Sequence, residues 1–283
     1  MKLVTFEAGG KTSYGSLSGD KVIDLGATFG QRYADIRAVL EAGALPELAK
    51  AAAGASPTLA LADIKLLPVI PNPQKIFCVG LNYKTHVAET KRSDSEYPAI
   101  FTRFADSMTA HDAPLRKPKK SARFDFEGEL AVVIGKGGRN ITQANALEHI
   151  AGYACFNDGS VRDWQRHTHQ WTPGKNFPET GAFGPCLTTR DEIPDIGAVT
   201  LTTRLNGQVV QQAPLSDLIF TLPVIIEYLS GFTPLMPGDV IATGTPGGVG
   251  DRREPPLYMK DGDTVEVEIT HIGLLRNIVR EEA

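Results

Sequence analysis

Cysteine is scarce in this sequence of 283 residues: Cys78, Cys155 and Cys186 are odd in number, far apart and set in apolar surroundings. That excludes a disulfide framework and a Cys-x-x-Cys metal site, and leaves core filling as their role. Charge of one sign is missing too. Lys and Arg number 29 against 33 Asp and Glu, a formal net charge of -4, so there is no basic stripe of the kind nucleic acid requires and nucleic acid is discounted as a partner. No run approaches the roughly 18 to 20 apolar residues of a membrane span. Met1 to Glu7 lacks the apolar core and cleavage site of a signal peptide, and the expectation is a cytoplasmic protein with no membrane partner. A phosphate loop is absent as well. Pro246-Gly-Gly-Val-Gly250 has no Lys-Ser/Thr ending, and no Gly-x-Gly-x-x-Gly opens a helix. Its backbone N–H groups remain able to bind a small carboxylate.

What is present begins at Phe124-Asp-Phe-Glu-Gly-Glu-Leu-Ala-Val-Val-Ile134, a buried-strand pattern holding two carboxylates. Alternation puts Glu127 and Glu129 on one face and Phe126, Leu130, Val132 and Ile134 on the other. Two unpaired carboxylates near a core cost several kcal/mol or take up a proton. A divalent cation between them removes both difficulties; a pair of solvated edge glutamates is the plainer alternative.

Along the chain, short strands are expected at Lys2 to Glu7, Ser13 to Leu17 and Lys21 to Asp24, then helical periodicity between Ala34 and Ala53 broken at Gly43. The stiff Pro68, Pro71 and Pro73 segment marks a domain boundary, giving residues 1–70 and 71–283. Lys84 to Tyr97 is polar and reads as a surface segment; it carries His86 and Glu89 three apart, on one face of a helical turn. Asp158 closes an apolar run, as a helix N-cap or as a third carboxylate ligand. Arg162, Gln165 and His169 then fall on one face if the segment is helical. Lys175 lies in a Pro-Gly loop and is either directed inward or an ordinary surface lysine. Hairpins are expected at Asn206-Gly207 and Asp261-Gly262. Between them a helix starts at Thr221 and ends at Gly231.

Five blocks in order carry a resemblance. Gly80-Leu-Asn-Tyr-Lys-Thr-His-Val-Ala-Glu89, Phe126-Glu-Gly-Glu-Leu-Ala-Val-Val-Ile-Gly135, Phe156-Asn-Asp-Gly-Ser-Val-Arg-Asp-Trp-Gln165, Gly174-Lys-Asn-Phe177 and Pro237-Gly-Asp-Val-Ile-Ala-Thr-Gly-Thr-Pro246 resemble the fumarylacetoacetate hydrolase family. The likeness covers about residues 71 to 281. It implies a mainly β fold with α+β elements: a β-sandwich-like roll behind a small N-terminal α+β domain, and a homodimer. It also implies Mg²⁺ or Mn²⁺ on Glu127, Glu129 and Asp158, an all-oxygen set that suits a hard cation. By the same resemblance His86 and Glu89 are catalytic and carried on a lid. Lys175 stabilises negative charge, and Arg162, Gln165 and Thr245 contact the substrate. Arg103 is expected among the substrate-binding residues, although Phe101-Thr-Arg103 departs from a more usual Phe-x-Lys and leaves open how the substrate's far end is recognised.

The function expected from this resemblance is carbon–carbon bond hydrolysis of a small anionic 2,4-diketo acid or acylpyruvate to pyruvate and a carboxylic acid. Decarboxylation of an oxaloacetate-like acid or a hydroxymuconate-type isomerisation on the same site is the alternative. A chain that had become a mere binding protein would show a defective site, and every matched position is present.

Overall fold

A computed structural model describes residues 1–90 and 96–283; residues 91–95 of the polar segment lie outside the described residues. The three N-terminal strands, Lys2–Ala8, Lys11–Ser18 and Lys21–Asp24, form a meander that turns at Gly9-Gly10 and at Gly19, all with positive φ. Lys2–Ala8 also pairs antiparallel with Gly181–Thr189, and the meander is thereby one end of a twelve-stranded sheet among the described residues. The helical stretch divides at Gly43 (φ 63°) into Ile36–Glu41 and Leu45–Gly54. Asp35 caps the first helix, accepting from the Ala38 N–H at 2.7 Å.

Strand alternation sets the layers. Ala131, Val133 and Phe156, on one face of the large sheet, share a core with Ile36, Val39, Leu40 and Leu48 of the N-terminal helices. On the opposite face Leu130, Val132 and Ile134 meet Leu201, Val265, Val267 and Leu275 of a second, five-stranded sheet. The result is mainly β, with the N-terminal helices on one side of a central sheet and the second sheet, together with the helix Leu222–Phe232, on the other. Cys78 and Cys155 are buried free thiols within these cores, and Cys186 is a third in a smaller cluster with Val4, Phe6, Val22 and Leu66.

Asn206 (φ 51°) and Gly207 (φ 77°) make the expected hairpin between Thr200–Leu205 and Gln208–Pro214. The last hairpin is displaced from expectation. Thr264–Ile269 and Gly273–Glu281 are joined through residues 270–272, where His271 takes φ 66°, while Asp261-Gly262 only leads into the first of the two. A turn dipeptide is a local signal and does not say which strands flank it. The helix Leu222–Phe232 likewise runs past Gly231, and Thr221 makes no side-chain cap bond.

Candidate active site

The pairing register builds the site. Gly128 lies opposite Asn157 and Glu129 opposite Phe156, which sets Asp158, one residue beyond its strand, beside Glu127. The Asp158 N–H closes this corner by donating to the Glu127 carbonyl at 2.8 Å. The strand expected as one piece is two: Phe124–Asp125 pairs with Ser160–Val161, Gly128–Ile134 with Ile150–Asn157, and Glu127 sits in the break. Glu127, Glu129 and Asp158 are buried, and each offers an oxygen within 4.8 Å of the others. Asp158 is no helix cap, and the glutamates are not solvated edge residues.

Three buried cations surround them. Lys175 Nζ donates to Glu127 Oε2 (2.6 Å), Asp158 Oδ2 (2.6 Å) and Ser160 Oγ (2.7 Å), which uses all three of its protons. Arg103 Nη1 donates to Asp158 Oδ1 at 2.7 Å. Arg162 lies 2.7 Å from Glu127 Oε1, and its Nε donates to Asp125 Oδ2 at 2.8 Å. Asp125, fully buried, is a fourth carboxylate that sequence reasoning missed, although it stands two residues before Glu127 in the same apolar run.

Four carboxylates face three cations, and Glu129 carries the imbalance: it accepts from the Gly244 N–H at 2.8 Å and from no cation among the described residues. Burial, then Asp158 and Glu127, push the Glu129 carboxyl well above its usual range. Burial pushes Glu127 the same way, but Arg162 and Lys175 outweigh it and hold that carboxyl well below the usual range. Glu129 is thus the position that gains most from a cation.

Above the carboxylates, the first part of the expected surface segment is a helix, Lys84–Thr90, with His86 and Val87 buried. His86 Nδ1 meets Glu89 Oε1 at 2.6 Å. The glycine run holds this helix down: Gly248 N–H donates to Glu89 Oε2 (2.8 Å) and Gly247 N–H to Thr85 Oγ1 (3.1 Å). Its amides therefore take the chain's own carboxylates, with Gly244 on Glu129 and Gly250 on Asp125, rather than a free one. Gly248 has φ 102°, and a Cβ there would lie 2.3 Å from the Val210 carbonyl oxygen.

A cavity of about 70 Å³ is lined by His86, Glu127, Glu129, Asp158, Arg162, Gln165, Lys175 and Thr245, with Phe101 and Trp171 as its apolar wall. Two expectations change. Arg103 is not among the lining residues; it is buried behind Asp158 and also donates to the Gly159 carbonyl and Thr180 Oγ1. It therefore braces a carboxylate from behind and does not line the cavity. His169 is exposed, because the helix Arg162–Gln165 stops before reaching it. Gln211, which sequence reasoning also missed, donates to Thr245 Oγ1 at 2.8 Å and accepts from the Gly128 N–H. Nothing in an isolated strand glutamine announces that role.

A buried three-carboxylate cage at strand ends of a mainly β roll, topped by a His-Glu pair, defines a class of enzymes that act on small acids. Residues 75–280 match the family described as fumarylacetoacetate (FAA) hydrolase C-terminal, and the chain belongs to that family. A mitochondrial oxaloacetate tautomerase of Xenopus laevis is 39% identical over 265 residues, 92% of this chain and 83% of that protein. The fumarylacetoacetate hydrolase of Exiguobacterium antarcticum superposes with TM-score 0.88 at 31% identity, each chain covered over 100% of its length. The maleylpyruvate hydrolase of Sphingobium sp. SYK-6, solved with manganese(II) and pyruvate, does so with TM-score 0.83 at 26% identity, again over 100% of both. The donor set fits such an ion: three buried oxygen donors, no thiolate or imidazole among them, and one carboxylate short of positive charge. Among the described residues no helix is long and apolar enough to cross a membrane.

Proposed function

We propose that this protein is a Mg²⁺- or Mn²⁺-dependent tautomerase of a small 2-keto acid of the oxaloacetate type, moving a proton between C3 and the enol oxygen. One observation carries the reading: His86, held by Glu89, and the three-carboxylate cage line a single small cavity. A divalent cation held by Glu127, Glu129 and Asp158 supplies Lewis acidity that draws electron density from the keto acid and acidifies its C3 protons. Glu89 accepts the Nδ1 proton of His86, which fixes the tautomer and leaves Nε2 to take and return the substrate's proton. The Gly248 N–H sets Glu89 in place beforehand. Lys175 acts through its charge, since its protons are already donated. A divalent cation would offset the excess of carboxylates over cations in the cage, which suits an acid anion.

Hydrolysis of a 2,4-diketo acid or acylpyruvate is the second reading. It is favoured by the pyruvate seen with manganese in the maleylpyruvate hydrolase, and His86 would then deprotonate a water. Tautomerisation stands first because the 39% relative carries that name and because hydrolysis needs a water beside the substrate in the same small space. The decisive experiment follows the ultraviolet enol band of oxaloacetate with Mg²⁺ or Mn²⁺, beside product analysis on acetylpyruvate. Metal-dependent loss of the enol band without carbon dioxide supports the tautomerase. Pyruvate released from acetylpyruvate, with the enol band decaying at the buffer rate, replaces it with the hydrolase. Pairing into a homodimer is kept from the family resemblance, and light scattering tests it.

A further inference from the structure

The cavity has a second charged end that the proton chemistry leaves unused. Besides the carboxylate cage it is lined by Arg166, Arg252 and Asp251. Arg166 follows directly on the helix Arg162–Gln165 and reaches Asp251 through both guanidinium ends. Arg252 Nε stands 3.6 Å from Asp251 Oδ2, beyond hydrogen-bond reach. Tyr258 donates its hydroxyl proton to Asp251 Oδ1 at 2.8 Å. One carboxylate therefore faces two guanidiniums, and a positive charge with unspent N–H groups is left over at the mouth. Burial pushes the Asp251 carboxyl up, yet Arg166 and Tyr258 more than offset it, and the group stays ionised.

The place of this pair is set by buried contacts, not by loop chance. Glu127 pairs with Arg162, Arg162 with Asp125, and Asp125 accepts from the backbone N–H of Gly250 (2.8 Å) and of Asp251 (2.9 Å). A continuous ionic chain thus runs from a cage carboxylate to the residue that orients both arginines. The arginines are partly solvated, their side chains 44% and 37% exposed, as a clamp at an entrance must be.

We infer that Arg166 and Arg252, braced by Asp251, bind the distal carboxylate of the substrate, which makes this a site for dicarboxylic 2-keto acids in preference to monocarboxylic ones. This rests on the keto-acid reading of the cage but not on which reaction occurs there. A guanidinium fork matches a carboxylate through paired, charge-assisted N–H bonds, and an acid ending in methyl offers it nothing.

The test uses the full chain with Mn²⁺ and two inert ligands of equal length, malate and 2-hydroxybutyrate, titrated by calorimetry. They differ in a carboxylate in place of a methyl, and neither can enolise. Wild type should prefer malate by about 10- to 100-fold. The preference should fall several-fold in R252Q, and also in D251N, which frees both guanidiniums from their brace. Equal affinity of wild type for the two acids, or a preference unchanged in R252Q, overturns the inference. A wild type that prefers malate yet leaves the enol of oxaloacetate untouched refutes the proposed reaction and keeps the clamp.

Discussion

Glu129→Gln should make the metal-stripped protein more stable while abolishing its response to metal. Glutamine keeps an oxygen for the Gly244 N–H that Glu129 now accepts at 2.8 Å. It also turns an amide toward Asp158 and Glu127, whose charges help to push the Glu129 carboxyl up. The direction of the effect follows from linkage. A carboxyl whose pKa is raised in the folded protein, by burial and then by Asp158 and Glu127, costs the fold stability as pH rises above the ordinary 4.5 at which it ionises when unfolded. Because the folded pKa is raised, the stability at stake is present below pH 4.5 and lost as pH climbs. The advantage of Glu129→Gln should accordingly be near zero at pH 4 and widest near neutrality. Calorimetric melts in EDTA from pH 4 to pH 8 measure it. Saturating Mg²⁺ or Mn²⁺ at about 100 times Kd should then lift wild type by about 2.7 kcal/mol and leave the variant where it was. A variant that melts below wild type in EDTA at pH 7, or that responds to metal as wild type does, refutes the electrostatic account of the cage.

The other expectations are shorter. His86→Ala should lower kcat by about 10²- to 10⁴-fold with Mn²⁺ affinity unchanged; a loss confined to KM would make His86 a binding residue. Arg103→Leu removes the cation from Asp158 Oδ1 and strands the Gly159 carbonyl. It should cost about 3 to 5 kcal/mol in chemical denaturation, and a change under 1 kcal/mol would show that Arg103 does not brace the cage. Burial raises the Tyr153 hydroxyl to about 12 from its ordinary 10.0. Stability should therefore fall as pH rises through that window, and Tyr153→Phe should remove on the order of 2 to 3 kcal/mol of the fall.

The parts of the molecule that sequence made legible are those where one physical rule acts alone. Alternation was enough to put Glu127 and Glu129 on one face, and positive-φ glycine and asparagine marked the turn at residues 206–207. The carboxylate triad itself followed from resemblance and charge chemistry together. Readings that depended on a partner far along the chain fared differently. Arg103 and Arg162 are both buried arginines within hydrogen-bond or ion-pair distance of a cage carboxylate. Only Arg162 reaches the cavity, and no local pattern distinguishes a cation behind a carboxylate from one in front of it.

The same limit explains Asp125 and the glycine run. Counting Glu127, Glu129 and Asp158 against a divalent cation left a negative site that seemed to need Arg103, Arg162 and Lys175 for the substrate. With Asp125 added, those three cations are all spoken for inside the protein. Glycine amides that looked free are engaged in the same way, by Glu89, Glu129 and Asp125. Buried charges must be paired wherever the fold brings them together. Among the described residues, the cavity-lining groups that the internal pairing does not exhaust include His86 Nε2 above the cage, the Gln165 side-chain amide, and the two guanidiniums that share Asp251.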